Sequence, residues 1–253
     1  MLATLKLGAK SALRRLGYDL TRRQADLPGR DPMEDMHRFT KNIPRPVVFD
    51  VGANVGQTVE KIKACLPLAE IHSFEPSPAT FELLRNNSAR FRGVHLWNYG
   101  VGASNAKLPF HENTHSDMSS FLEMTDLGWG QSMGTTLVEV VTLDEFCAKH
   151  GLTGIHILKS DTQGYDFEVL KGAAGLMARN QINLIFFEVM FSEMYRGSAS
   201  FDQIFRFLLD HNFALVTFYG FHFQQGRASW TDALFINNEF HRAWQARQLE
   251  GHS

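Results

Sequence analysis

The chain has 253 residues, 44% of them apolar and 21% charged, with a formal net charge of −2. That length fits one large domain or two small ones, and the charge balance argues against nucleic acid as the main partner. Cys65 and Cys147 lie far apart and form no CxxC pair, which suits a reducing compartment and argues against a zinc site.

Residues 1–23 stand apart. Leu2, Leu5, Ala9, Leu13 and Leu16 recur at helical spacing, and Lys6, Lys10, Arg14, Arg15, Arg22 and Arg23 make the segment basic. Such a helix suits either an anionic membrane surface or packing against the domain or a partner subunit. Lys6 and Lys10 interrupt its apolar residues, so a secretory signal is not expected. No apolar run approaches the ~18 residues of a membrane span. The expected location is the cytoplasm, peripheral at the inner membrane surface if the segment binds lipid. Residues 24–46 contain Pro28, Gly29, Pro32, Pro44 and Pro46 and read as a linker with one short helix near Met33–Phe39.

From Val47 the pattern alternates between strand and helix. Strands are expected near 47–51, 70–75, 94–99, 155–160 and 183–189, with helices at 56–65, 78–90, 165–170 and 201–210. Ser77, followed by Pro78, is a natural helix cap. Residues 103–136 are polar and rich in Gly and Ser, with a short strand at 107–111; a strand at 137–141 and a helix at 143–149 follow. The last strands, near 213–218 and 232–236, have no clear helix between them and suit an antiparallel hairpin at the sheet edge. The expectation is a mostly parallel sheet with helices on both faces. One domain would span 47–253, preceded by the basic helix and linker of 1–46.

In such sheets ligands bind beyond the carboxyl ends of the strands. Asp50 and the turn from Gly52 to Gly56 follow the first strand, and Glu75 ends the second, about 20 residues further on, where a carboxylate can accept from both hydroxyls of a ribose. The dinucleotide fingerprint would need glycines at 52, 54 and 57, but Asn54 and Gln57 stand at two of these positions. The phosphate-binding P-loop pattern is also absent. What remains is a ligand with a ribose and no pyrophosphate. S-Adenosylmethionine fits: amides near Gly52 and Asn54 can meet its carboxylate, and Asp50 its ammonium, directly or through water.

Asp50-Val51-Gly52-Ala53-Asn54-Val55-Gly56, Phe74-Glu75-Pro76, Thr142-Leu143-Asp144-Glu145-Phe146 and the run from Leu158 to Ala173 together resemble the FkbM family of S-adenosylmethionine-dependent methyltransferases over about residues 47–190. The resemblance implies a class I, Rossmann-like α/β fold with a mostly parallel seven-stranded sheet and an antiparallel C-terminal strand. It implies an O-methyltransferase whose acceptor is a hydroxyl of a sugar, glycan, glycolipid or secondary metabolite. It also implies that Pro76 and Ser77 belong to the ribose end of the site, that the stretch from Asn98 through Val101 to Gly102 lines the adenine side, and that Ser119 and Ser120 either close over the cofactor or face solvent. Where the family commonly has Glu, this chain has Gln163, so residue 163 cannot serve as an acid.

Methyl transfer from a sulfonium is an in-line displacement in which positioning dominates, and a hydroxyl acceptor needs a base or a metal. Asp161 ends the 155–160 strand beside the expected methyl group. Lys159 shares its face and is either catalytic or held in a contact with Asp161 or the backbone. Glu188 ends the next strand, and with Asp161 it suits either a divalent cation or a substrate hydroxyl. His72, His95 and His156 fall inside strands as core or sheet-face residues. His111 and His115 lie in the polar insertion within reach of a site. His222, within Phe218–Phe223, either stacks on an acceptor ring or packs. The alternative function is a non-catalytic cofactor-binding protein of the same fold. A nicotinamide enzyme is disfavoured by the missing glycines.

Overall fold

The computed structural model describes residues 13–16 and 27–250. Of the predicted basic segment 1–23, only residues 13–16 are described, with 13–15 helical; the rest of that expectation lies outside the described residues. The first complete element is α1 (Pro32–Thr40). Asp31 caps it by accepting from Met33 N at 2.7 Å, and Pro32 occupies the first turn, where its missing N–H costs nothing. Met36 and Phe39 are buried in the core, and Tyr219 donates to Asp35 Oδ2 at 2.9 Å. The helix expected within a linker is therefore packed on the sheet.

The chain continues through β1 (Val47–Val51), α2 (Gln57–Cys65), β2 (Glu70–Phe74), α3 (Pro78–Ser88), β3 (Val94–Trp97), β4 (Gly100–Val101), β5 (Ala106–Asn113) and β6 (Ser132–Val141). It then forms α4 (Leu143–His150), β7 (Ile155–Ser160), α5 (Asp166–Lys171), α6 (Ala174–Ala178), β8 (Ile182–Met190), α7 (Phe201–Asp210), β9 (Phe213–Gln224), β10 (Arg227–Asn237) and α8 (Asn238–Glu250). Among the described residues, seven strands form one sheet in the order β3-β2-β1-β7-β8-β10-β9. β10 runs antiparallel to both its neighbours, whereas the pairs from β3 through β8 are parallel. The expected mostly parallel sheet and terminal hairpin are both present.

The strands are apolar almost throughout because both faces are covered. Phe49, Phe74, Phe146, Leu158 and Phe187 belong to one core cluster; Val48, Ile62, Ile157 and Leu184 belong to the other. The chain runs outward from β1 to β3 and then returns to place β7 on the other side of β1. The sheet therefore opens a crevice at the carboxyl ends of β1 and β7, where strand order reverses.

Several boundaries differ from the sequence expectation. The strand expected at 94–99 ends at Trp97 as β3 in the main sheet, and a further short strand, β4, follows at Gly100–Val101 and joins a second sheet of order β4-β6-β5. β6 begins at Ser132 rather than 137 because it pairs along β5 from Ala106↔Val140 to Asn113↔Ser132, a long-range pairing that overrides a weak local pattern. β9 and β10 are also longer than expected. α8 was not anticipated: it is polar and has no buried residue, so it lacks an apolar stripe. It docks through partly buried Phe240 and Trp244, the latter 5.0 Å from the ring of Phe39.

Candidate active site

The turns after β1, β2 and β7 converge. Gly52 has φ +72, and a Cβ there would lie 2.0 Å from the carbonyl oxygen of Asp161; glycine lets the turn after β1 press against the turn after β7. Gly52 N and Ala53 N both donate to Phe74 O, at 3.1 and 3.0 Å. Asn54, at φ +48, donates its N–H to Glu75 Oε2 at 2.9 Å. Gly56, at φ +95, precedes the first turn of α2, so the helix expected from 56 begins one residue later.

Glu75 is 5% exposed. Its second oxygen accepts from Ser77 N at 2.9 Å. Burial pushes its carboxyl up to about 7, against the opposing pull of the Ser77 and Asn54 amides. Asn98 supports the turn from below, donating to Glu75 O at 2.8 Å and Pro76 O at 3.0 Å.

Lys159 and Asp50 pair directly across β1 and β7, where their backbones are in register. Lys159 Nζ lies 3.0 Å from Asp50 Oδ1 and 3.8 Å from Asp161 Oδ2, and it donates to Gly52 O at 3.0 Å. Burial alone would lower the lysine, but Asp50 and Asp161 outweigh it and hold the ammonium well above its ordinary value. Asp50 is fully buried; burial raises its carboxyl and Lys159 draws it back.

Beyond Asp161 the chain turns through Gln163, at φ +55. Its Nε2 donates to Asp161 Oδ1 at 2.9 Å and reaches Glu188 Oε1 at 3.4 Å. Its Oε1 lies 3.0 Å from Tyr195 OH, and Ser120 Oγ donates to its backbone carbonyl at 2.8 Å. Glu188 is in register with Asp232 across β8 and β10. Burial and the charges of Asp161, Asp166 and Asp232 raise Glu188 well above the usual carboxylate range. Burial, with Asp161 beside it, lifts Asp232 to about 6.

These turns form a pocket lined by Gly52, Asn54, Glu75, Pro76 and Asp161 together with Tyr99, Val101, Phe110 and Phe121. A Cβ on Gly100 would meet Phe121 Cζ at 2.4 Å, so that glycine admits the ring. Ser116, Asp117 and Ser119 of the insertion form its cover, tied down where Ser116 Oγ donates to Asn54 Oδ1 at 2.8 Å.

Of the residues expected around the cofactor, Gly52, Asn54, Glu75, Pro76, Val101 and Asp161 line the pocket, whereas Asp50, Gly56, Ser77, Asn98 and Gly102 are not among its lining residues. Asn98 acts as a backbone clamp. Lys159 and Glu188 also lie outside the lining, each joined to it through Asp161 or Gln163. Ser119 lines the pocket, while Ser120 instead fastens the Gln163 turn. Neither His111 nor His115 lines it. Tyr99 falls within the stretch 98–102 expected on the adenine side, whereas Phe110 and Phe121 were not named from sequence; aromatic residues in a polar insertion were the available signal for these two.

The strand order, the antiparallel β10 and the pocket at the switch point define the class I fold of S-adenosylmethionine-dependent methyltransferases. A family model described as "Methyltransferase FkbM domain" matches residues 50–215, and the chain belongs to that family. It is 25% identical to the 2-O-methyltransferase NoeI of Sinorhizobium fredii, over 61% of this chain and 67% of that relative. It is 26% identical to the hexuronic acid methyltransferase AglP of Haloferax volcanii, over 56% of this chain and 55% of the relative. To the 31-O-demethyl-FK506 methyltransferase FkbM of Streptomyces tacrolimicus it is 27% identical, over 51% and 60%. The chain thus spans between about half and two thirds of the length of these relatives. Among solved structures, the magnesium protoporphyrin IX methyltransferase of Synechocystis superposes with a TM-score of 0.45 at 10% identity, covering 92% of this chain and 81% of that one.

Proposed function

We propose that the chain is an S-adenosylmethionine-dependent O-methyltransferase acting on a hydroxyl of a sugar, glycan, glycolipid or secondary metabolite. One observation carries this reading: a single pocket joins an aromatic end, a buried acid at its middle and a glycine turn beside Asp161. Glu75 has two oxygens with remaining acceptor capacity for the ribose hydroxyls. Tyr99, Phe110 and Phe121 suit a flat base. The Gly52–Asn54 turn and Asp161 suit the amino-acid tail. The 2-O- and 31-O-methyltransferase activities of NoeI and FkbM and the hexuronic acid substrate of AglP support an oxygen acceptor on a sugar or related metabolite.

Bound S-adenosylmethionine supplies an already activated methyl group, so the protein's tasks are positioning and removal of the acceptor proton. Lys159, held protonated, anchors Asp50 and Asp161 and does not serve as a base. Glu188, raised well above the ordinary carboxylate range by burial and the acids around it, is a hydrogen-bonding partner for the acceptor. Asp161, with its side chain 45% exposed, is placed to take the acceptor proton. The Gln163 amide nitrogen reaches both Asp161 and Glu188. The two acids thus share an N–H donor rather than a cage of oxygens, and no step is assigned to a divalent cation.

Asp161→Asn keeps the Gln163 hydrogen bond and removes the base. Turnover at saturating S-adenosylmethionine is expected to fall by about 10²-fold or more, a loss that added cofactor does not restore, with titration calorimetry measuring separately any weaker hold on the amino-acid tail. Unchanged turnover would remove Asp161 from the chemistry. If wild type binds the cofactor yet methylates no hydroxyl acceptor from a broad glycan panel, the non-catalytic reading gains.

The basic segment 1–23 supports peripheral contact with an anionic membrane from the cytoplasmic side. Among the described residues no helix is long and apolar enough to cross a membrane. Cosedimentation with vesicles containing phosphatidylserine is expected to be lost on deleting residues 1–23; equal sedimentation of both forms would refute the contact.

A further inference from the structure

The carboxyl ends of β8 and β9 and the amino end of the antiparallel β10 carry side chains that the cofactor pocket does not use. Glu188 pairs with Asp232 and Met190 with Trp230 across β8 and β10; Trp230 pairs with His222 across β10 and β9. Residues two apart on a strand share a face and stand about 7 Å from each other. The Glu188–Asp232 row and the Met190–Trp230–His222 row therefore lie side by side on one face of the sheet. The acidic row is the one that feels Asp161: that charge acts on both Glu188 and Asp232. Register shifts on either side of Trp230 mark bulges, which re-aim a side chain at the rim of a sheet.

The aromatic row is built rather than incidental. His222 lies flat on Trp230, 4.7 Å between ring centroids at 3°. Trp129, arriving from the insertion, leans on Trp230 at 5.7 Å and 39°. The insertion is fastened at this point: Gln224 Nε2 donates to Leu127 O at 3.3 Å, and Asn113 Nδ2 to Trp129 O at 3.2 Å. A Cβ on Gly130 would meet Asn113 Oδ1 at 2.0 Å, so glycine is required for that clamp. Trp129 nevertheless remains 40% exposed, a large apolar ring held in place and left open to solvent.

We propose that this row is the acceptor's ring subsite, taking a pyranose-type ring with its C–H face on the exposed ring of Trp129, which Trp230 holds in place while itself backed by His222 and the Met190–Met194–Tyr195 cluster, and its hydroxyls towards Glu188, Asp232 and Asp161. The inference rests on the methyl-donor reading and specifies what the same site accepts. Carboxyl groups at the rim suit hydroxyl donors. A rigid tryptophan offers a broad contact surface at little entropic cost.

The test titrates tryptophan emission of the protein saturated with S-adenosylhomocysteine. Methyl glycosides of glucose, fucose and glucuronic acid are the probes, and glucitol is the acyclic control. At least one pyranoside is expected to change the emission saturably and glucitol not to. Trp129→Ala, a loop substitution outside the cofactor pocket, is expected to weaken that response by about tenfold without altering calorimetric affinity for S-adenosylhomocysteine. Trp230→Leu is expected to behave alike. The proposal is overturned if the response survives unchanged in both variants, or if no pyranoside elicits one while S-adenosylhomocysteine still binds. Failure of wild type to bind S-adenosylhomocysteine would overturn the methyl-donor reading as well.

Discussion

Replacing Glu75 with alanine is expected to lower the affinity for S-adenosylmethionine by about 100-fold, since two hydrogen bonds to a charged acceptor are worth roughly 3 kcal/mol together. The loss has a second origin in the free protein. Glu75 accepts from Asn54 N and Ser77 N, so its removal frees two buried amides and loosens the turn that shapes the pocket. Binding should also depend on pH, because the carboxyl is pushed up to about 7 from an ordinary 4.5. Below that value Glu75 takes up a proton and loses acceptor capacity. Affinity should therefore fall about tenfold between roughly pH 8.5 and pH 6, and the fall should vanish in Glu75→Ala. The sign for folding is separate. The folded value lies above the unfolded one, so the folded chain holds the extra proton. This stabilisation is complete below about 4.5 and is lost as pH rises through about 7. Titration calorimetry across pH checks the binding prediction; flat affinity in wild type would sink it.

Replacing Lys159 with methionine should destabilise the fold by about 3–5 kcal/mol, because it strands a buried carboxylate without its counter-charge. Asp50 is fully buried, and Oδ2 has no hydrogen-bond partner among the described residues. The damage should grow as pH rises, since burial already raises the Asp50 carboxyl and protonation relieves the unpaired charge at low pH. Pairing Lys159→Met with Asp50→Asn should restore part of the loss, because the carboxylate that had lost its counter-charge is then gone. Urea unfolding of the two single variants and the double variant makes the comparison. A double variant no more stable than Lys159→Met would show that the lysine acts by some route other than Asp50.

Much of the cofactor half of the site was legible in the chain. A buried strand, an acid and a glycine turn are local features. Gly52 and Gly56 announce backbone conformations with positive φ, and Ser77 with Pro78 announces a helix start. Glu75 could be assigned a role because it stands at a strand end about 20 residues beyond the turn. Asn98 was legible as important but not in its function, since its partners are the backbone carbonyls of Glu75 and Pro76, two positions that sequence distance does not bring together. Gln163 was read as a mere departure from an acid; its task became visible only when its amide was seen between Asp161, Glu188 and Tyr195.

By itself, then, the sequence determined the alternation of strands and helices, the class of fold and the turn from Asp50 to Gly56 that points to S-adenosylmethionine, because each depends on residues close together in the chain. The tertiary structure alone decided the rest. Sheet order sets β1 beside β7 and so places Asp50 against Lys159; β8 beside β10 sets Glu188 against Asp232; and the insertion carries Trp129 to Trp230. These contacts join residues far apart along the chain, and only the pairing of strands, driven by burial of both sheet faces, brings them within reach.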